Sequence, residues 1–230
     1  MTKEQLAKEI KKLKVDVDVE RFEHLMKDTL ATNELFNLTS ITDEEKFREL
    51  MIYDSLTPNR LIDFSNREVL DFGTGGGYPG LPLAIATKGK FSLLDSTKKK
   101  IYHVNDYAKA NNLINVRCLY TRGEEYTKKF REKYDVVIAR AVADLRVLLE
   151  MVAPAIKVGG FFIAMKGAQG DIELIKSKRA LDKLDCKVID VDEFELPESK
   201  EKRMNILIQK TKETKPKYPR AYNMIIKKPL

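Results

Sequence analysis

The sequence predicts an α/β domain: a mostly parallel seven-stranded sheet with an antiparallel last strand, preceded by helices. Three observations predict it. Short apolar runs alternate with helical stretches from Val69 onward. A cluster of glycines closes the first of those runs. The last two runs follow each other across a short charged turn with no helix between, which parallel pairing cannot accommodate.

The elements read in order as follows. Leu6, Ile10 and Leu13 recur at helical spacing, and so do Val19, Phe22, Met26 and Leu30. Thr42-x-x-Glu45 has the form of a capping box, opening a helix through Phe47, Leu50 and Met51 toward Leu56, with Pro58 helping to stop it. Strands are then expected at Val69–Phe72, Phe91–Leu94, Val116–Tyr120, Asp135–Ala139 and Phe161–Met165. Helices are expected near Gly80–Thr87, Lys98–Asn111, Glu124–Lys133 and Asp144–Ile156, and a further one over Asp171–Leu184. Lys187–Phe194 and Asn205–Gln209 form the closing hairpin. The reading divides the chain into a helical extension (1–60), a Rossmann-like core (61–210) and a basic tail or irregular wrap (211–230).

At 230 residues the chain is long enough for one large domain with a sizeable core. No apolar run approaches the length that crosses a bilayer, and Met1–Ile10 alternates charged and apolar residues unlike a signal peptide. Cys118 and Cys186 with two histidines do not make a zinc set at this spacing, so no metal is expected, and a reducing cytoplasm fits best. The net charge of +7 fits a solvated lysine-rich surface or a polyanionic partner, nucleic acid above all. Charge alone does not separate these.

The strongest local signal is Asp71-Phe72-Gly73-Thr74-Gly75-Gly76-Gly77-Tyr78-Pro79-Gly80, a strand running into glycines and then a helix. Glycines let a backbone turn sharply and approach a ligand closely. Gly75-x-Gly77-x-x-Gly80 formally matches the dinucleotide fingerprint, which would set a pyrophosphate at the helix N-terminus. Asp71 argues against that: a carboxylate there repels a pyrophosphate but suits the ammonium and sulfonium of S-adenosylmethionine. Asp95 closes the second strand, where an acid can accept hydrogen bonds from ribose hydroxyls in either cofactor class. The antiparallel last strand favours the methyltransferase version of the fold, the class I S-adenosylmethionine-dependent type. Gly123, Glu124 and Arg140 follow the third and fourth strands at the edge where ligands bind. An NAD(P)-dependent oxidoreductase and a non-catalytic RNA-binding protein on the same scaffold are the competing readings.

These residues together resemble the RsmG family, also called glucose-inhibited division protein B. The matching stretches are Asn37–Ile41, Tyr53–Leu56, Asp71–Pro82, Leu93–Ser96, Arg122–Glu125, Ala139–Val142, Met165–Gly167, Tyr218–Arg220 and Lys227–Leu230. They span nearly the whole chain in family order. The resemblance implies N7 methylation of a guanine in 16S ribosomal RNA, the one conventionally numbered 527, in naked RNA or a small-subunit precursor. It implies cofactor contacts at Gly73, Tyr78, Gly123, Glu124 and Arg140. Met51 stands where the family usually has histidine, and Asn223 and Ile225 stand where its tail carries glycine and proline.

A guanine N7 has a free lone pair and no proton to lose, so no catalytic base is expected. None is apparent: the stretch after the fourth strand, Ala139-Arg140-Ala141, lacks the Asn/Asp-Pro-Pro-aromatic motif of amine methyltransferases, and both cysteines fall inside expected strands. Candidate RNA contacts are Lys166, Arg220, Lys227 and Lys228, with Lys98–Lys100, Lys176, Lys178, Arg179, Lys215 and Lys217 as further surface cations. Tyr218 and Tyr222 interleave with the tail charges as stacking candidates.

Overall fold

The computed structural model describes residues 1–230. Two helices, α1 (Lys3–Lys12) and α2 (Val19–Asn33), lead the chain. A third starts as α3 (Glu44–Phe47), passes through a π-helical turn (Arg48–Tyr53) and ends as α4 (Asp54–Leu56). Its N-cap is Asp43, which accepts from Lys46 N at 2.9 Å, rather than Thr42; the aspartate one residue on takes the cap.

The core follows the expected alternation: β1 (Glu68–Phe72), α5 (Gly80–Ala86), β2 (Lys90–Asp95), α6 (Lys98–Ala110), β3 (Val116–Tyr120), α7 (Gly123–Lys129), β4 (Tyr134–Arg140), α8 (Leu145–Val152) and β5 (Ile156–Lys166). The expected helix over 171–184 is two, α9 (Gly170–Lys176) and α10 (Lys178–Lys183), broken at Ser177. The Ser177 hydroxyl bonds back to Glu173 O at 2.7 Å, an interaction that competes with the helical ladder. The strands β6 (Cys186–Glu195) and β7 (Lys202–Lys210) close the sheet, and α11 (Tyr222–Lys227) ends the chain.

Strand order is β3-β2-β1-β4-β5-β7-β6, with β7 antiparallel to both neighbours. This is the class I methyltransferase arrangement anticipated from the sequence. Alternate residues of each strand feed two cores. Val69, Leu93, Val136 and Ile138 face α5, α6 and the N-terminal helices; Leu70, Leu94, Val137 and Ala139 face α7, α8, α10 and the tail. No helix is long and apolar enough to cross a membrane.

The last twenty residues wrap the second face. Tyr218, Ile225 and Leu230 are buried there. Arg131 donates to the carbonyls of Tyr218 and Thr214, and Arg220 makes a two-pronged pair with the fully buried Glu150 (2.7 and 2.6 Å). Burying Glu150 is tolerable because both of its oxygens are paired and hydrogen-bonded.

Candidate cofactor and base cavity

A cavity of about 1000 Å³ opens at the C-terminal ends of the parallel strands. Its lining divides into two parts, or lobes, on either side of the reversal in chain order between β1 and β4, the switch point where ligands bind in such sheets. One lobe lies over β1–β3, the other over β4, β5 and the start of β7.

The first lobe is made mainly of backbone. The loop after β1 turns through Gly73 (φ +78°) and Gly75 (φ +58°), a left-handed conformation that side chains resist. Gly75 faces open space: a Cβ there would meet nothing within 4 Å. Its N–H donates to Asp95 Oδ2 at 2.9 Å, and Thr97 N donates to Asp95 Oδ1 at 2.7 Å, so the β2 carboxylate is fixed at the lobe's wall. Glu124 sits at the lobe's far end in the first turn of α7. Arg122 pairs with it at 3.3 Å and stacks its guanidinium 5.0 Å from the Tyr222 ring at the cavity mouth.

Three of the expected cofactor contacts have roles within the protein itself. Asp71 does not line the cavity and is fully buried. Its Oδ2 accepts from Thr74 Oγ1 (2.6 Å) and Gly80 N (2.8 Å), so it stitches the loop to the start of α5. Burial pushes its pKa up to about 6 against those two hydrogen bonds. Tyr78 lines the cavity but its hydroxyl is engaged with Thr29 of α2 at 2.9 Å, joining the loop to the N-terminal helices. Gly123 is small because Phe72 occupies the adjacent space, a Cβ falling 2.2 Å from its ring.

The second lobe is made of paired charges. Arg140, at the end of β4, turns toward the π-helical turn: Nη1 donates to Leu50 O (3.0 Å) and Asp54 Oδ2 (3.4 Å), and Nη2 approaches Met51 Sδ (3.6 Å). Arg203 Nε reaches the same Asp54 oxygen at 3.2 Å. Asp54 Oδ1 is buried without a partner. The residue after Arg140, Ala141, holds φ +54°, a strained conformation in the loop between the lobes. Lys166, at the end of β5, is buried, donating to Ala143 O (2.7 Å) and pairing with Glu173 Oε2 (2.8 Å).

The RNA candidates therefore divide. Lys227 and Lys228 are exposed at the end of α11. Arg220 is tied to Glu150, Lys166 lines the cavity, and Tyr218 is buried, so none of the three presents a free surface group. Tyr222 stays exposed. Burial raises the thiols of Cys118 to about 11 and Cys186 to about 12, leaving neither a ready nucleophile. No group of His, Cys, Asp and Glu is placed to hold a metal.

Residues 18–211 match the family model described as rRNA small subunit methyltransferase G. The chain is 39% identical over 202 residues to ribosomal RNA small subunit methyltransferase G of Clostridium tetani, covering 86% of this chain and 84% of that one. It is 37% identical to the protein of the same name from Staphylococcus aureus strain Newman, covering 100% and 99%. The chain belongs to this family. Among solved structures, M. jannaschii TYW2 in complex with AdoMet superposes with a TM-score of 0.59 at 17% identity, covering 74% of this chain and 79% of that one. A SAM-dependent methyltransferase from Aquifex aeolicus gives 0.56 at 15%, covering 74% and 94%. At those identities the likeness establishes the fold.

In this member of the methyltransferase G family, Asp54, Arg203 and Glu173 are among the cavity residues that the motifs did not single out. Asp54 lay inside a quoted motif; Arg203 and Glu173 carry no local signal, being ordinary charges on a strand and a short helix.

Proposed function

We propose that this chain methylates guanine N7 in small-subunit ribosomal RNA, using S-adenosylmethionine, and that it works in the cytoplasm on RNA or a subunit precursor. The family resemblance points to the guanine conventionally numbered 527. The observation that carries the reading is the two-lobed cavity: an open glycine-lined lobe beside a fixed carboxylate, next to a second lobe of polar side chains. The helix N-terminus that would hold a pyrophosphate is already occupied, because Gly80 N donates to Asp71, which disfavours a dinucleotide.

The first lobe fits the cofactor. Gly75 leaves room for close approach, and Asp95, fixed by two backbone N–H groups, is a carboxylate to which ribose hydroxyls would donate. When bound, S-adenosylmethionine supplies an electrophilic methyl group on sulfonium. The protein's part is alignment and water exclusion. The N7 lone pair forms the new bond, the sulfur keeps the pair of the broken one, and no proton moves. Accordingly no lobe residue serves as a base.

The test is mapping the methyl group by mass after incubating unmodified small subunits with labelled cofactor, followed by reductive strand cleavage, to which N7-methylguanosine is sensitive. One cleavable guanosine is expected, with a single-turnover rate nearly flat from roughly pH 7 to 9 because no group must change protonation state. A methyl on an exocyclic amine, with a rate rising tenfold per pH unit, would overturn the N7 assignment.

A further inference from the structure

We infer that the Lys166–Glu173 pair reads the guanine's Watson–Crick edge and so selects guanine over other bases; this rests on the guanine reading above. The pair lines the second lobe and is held from two sides. Lys166 Nζ donates to Ala143 O at 2.7 Å and contacts Glu173 Oε2 at 2.8 Å. Glu173 Oε2 also accepts from Leu145 N at 2.7 Å.

Counting protons and lone pairs shows what remains. An ammonium has three donors; one of Lys166's is spent on Ala143 O, and Nζ lies 2.8 Å from Glu173 Oε2 as an ion pair, so at least one N–H is left. Oε2 of Glu173 accepts from Leu145 N and faces the Lys166 ammonium, while Oε1 makes no hydrogen bond within the chain. The carboxylate side chain is one-quarter exposed, so Oε1 is not sealed off. The pair thus offers at least one N–H beside one doubly vacant acceptor oxygen.

Guanine presents the complement. O6 accepts the remaining Lys166 proton, and Oε1 accepts N1–H and one proton of the 2-amino group. Adenine mismatches at each place: its 6-amino group faces the ammonium, its N1 lone pair faces the carboxylate, and it lacks the 2-amino group. N7 lies on the imidazole ring, away from the gripped N1 and 2-amino groups. The grip comes close to the reaction centre: Ala143, which holds Lys166, is one residue from Val142, whose side chain packs against Gly73 of the first lobe.

A carboxylate paired with a lysine also has a purely structural use, joining β5 to α9 and α8. Glu173→Gln separates the two. Its amide oxygen keeps the Leu145 bond and stays beside the Lys166 ammonium, and its NH₂ replaces Oε1, turning the reading atom from acceptor to donor. The assay is single-turnover methylation of small subunits carrying either guanosine or inosine, which lacks the 2-amino group, at the mapped target, made by ligating a synthetic oligonucleotide into the rRNA.

Wild type should prefer guanosine by on the order of tenfold, the lower range of discrimination for a good polar base contact. E173Q should be at least tenfold slower on guanosine and should lose most of the guanosine-over-inosine preference, with cofactor affinity unchanged. Glu173→Asp, which keeps the charge but withdraws it by one methylene, should lower the same preference and serves if E173Q does not fold. An intact preference in either folded variant, or no preference in wild type, overturns the assignment. No methyl transfer by wild type to guanosine subunits would instead reject the guanine reading itself.

Discussion

The two lobes of the cavity are built by opposite means. Over β1–β3 the wall is backbone, shaped by glycines within one loop and braced by Asp71 and Asp95. Over β4, β5 and β7 it is side chains, drawn from Asp54, Arg140, Lys166, Glu173 and Arg203. A backbone lobe has few side-chain partners to lose, so damage there should appear as lost binding. A lobe of mutually paired, partly buried charges is also part of the packed structure, so damage there should appear as lost stability. This difference is open to direct tests.

The largest effect is expected at Arg140. Removing its guanidinium leaves Asp54, which is 4% exposed, with Arg203 as its one remaining cation and Leu50 O without that donor. Breaking a buried pair by deleting one member costs about 3–5 kcal/mol. Chemical denaturation of Arg140→Ala should show a loss of that order. A loss under about 1 kcal/mol would mean that the second lobe is not structural in the sense argued.

Asp71 braces the backbone lobe from beneath, and its titration gives the next effect. Its folded pKa of about 6 lies above the unfolded value near 3.9, so the native state favours the protonated form. Between those pH values the folded chain holds the proton more tightly than the unfolded one. This group's contribution to stability therefore falls as pH rises from about 4 to about 6, and is level above that. Two pKa units correspond to about 3 kcal/mol. Denaturation profiles of wild type and Asp71→Asn should diverge over that window, the variant lacking the decline. Parallel profiles would show that the carboxylate is not the titrating group.

Gly75→Val tests the backbone lobe at its face. A Cβ there meets no protein atom within 4 Å, so the penalty comes from the left-handed backbone, about 1–2 kcal/mol, and from occupying cofactor space. Cofactor affinity should fall by about 100-fold, which is roughly 2.7 kcal/mol, in a chain that still folds. Calorimetry showing wild-type affinity in the folded variant would remove the loop from the site.

How much of each lobe was legible in the sequence follows from how each is built. The glycine loop is one continuous segment whose residue types have a local conformational reason, so the turn at Gly73 and Gly75 and the strand-end position of Asp95 could be read directly. The order of the strands was equally local, each being a short apolar run with its own turn. The second lobe depends on pairs such as Arg203 with Asp54, 149 positions apart, and Arg140 with the carbonyl of Leu50, 90 apart. Nothing near either residue announces its partner. Lys166 and Arg220 show the same limit from the other side: their types and positions fit a surface role, and only the packing of Glu173 and Glu150 turns them inward. Asp71 was placed correctly at the strand end but given the wrong partner, because its side chain points beneath the loop toward Thr74 and Gly80.

The smallest effect is expected at the residue between the lobes. Ala141 holds φ +54°, which for an alanine costs about 1–2 kcal/mol. Glycine adopts that conformation freely, but it gives the unfolded chain more freedom, which offsets about 0.4–1 kcal/mol of the relief. Ala141→Gly should thus leave the protein slightly more stable, by up to about 1 kcal/mol. The loop it loosens carries Val142, which packs on Gly73, and Ala143, which holds Lys166, so it fixes one lobe against the other. If the strain serves that alignment, the single-turnover methylation rate should fall severalfold while stability rises and cofactor affinity stays level. A rate that holds or rises together with stability would show that the strained residue contributes nothing to alignment, and that the two lobes are registered by the strands beneath them alone.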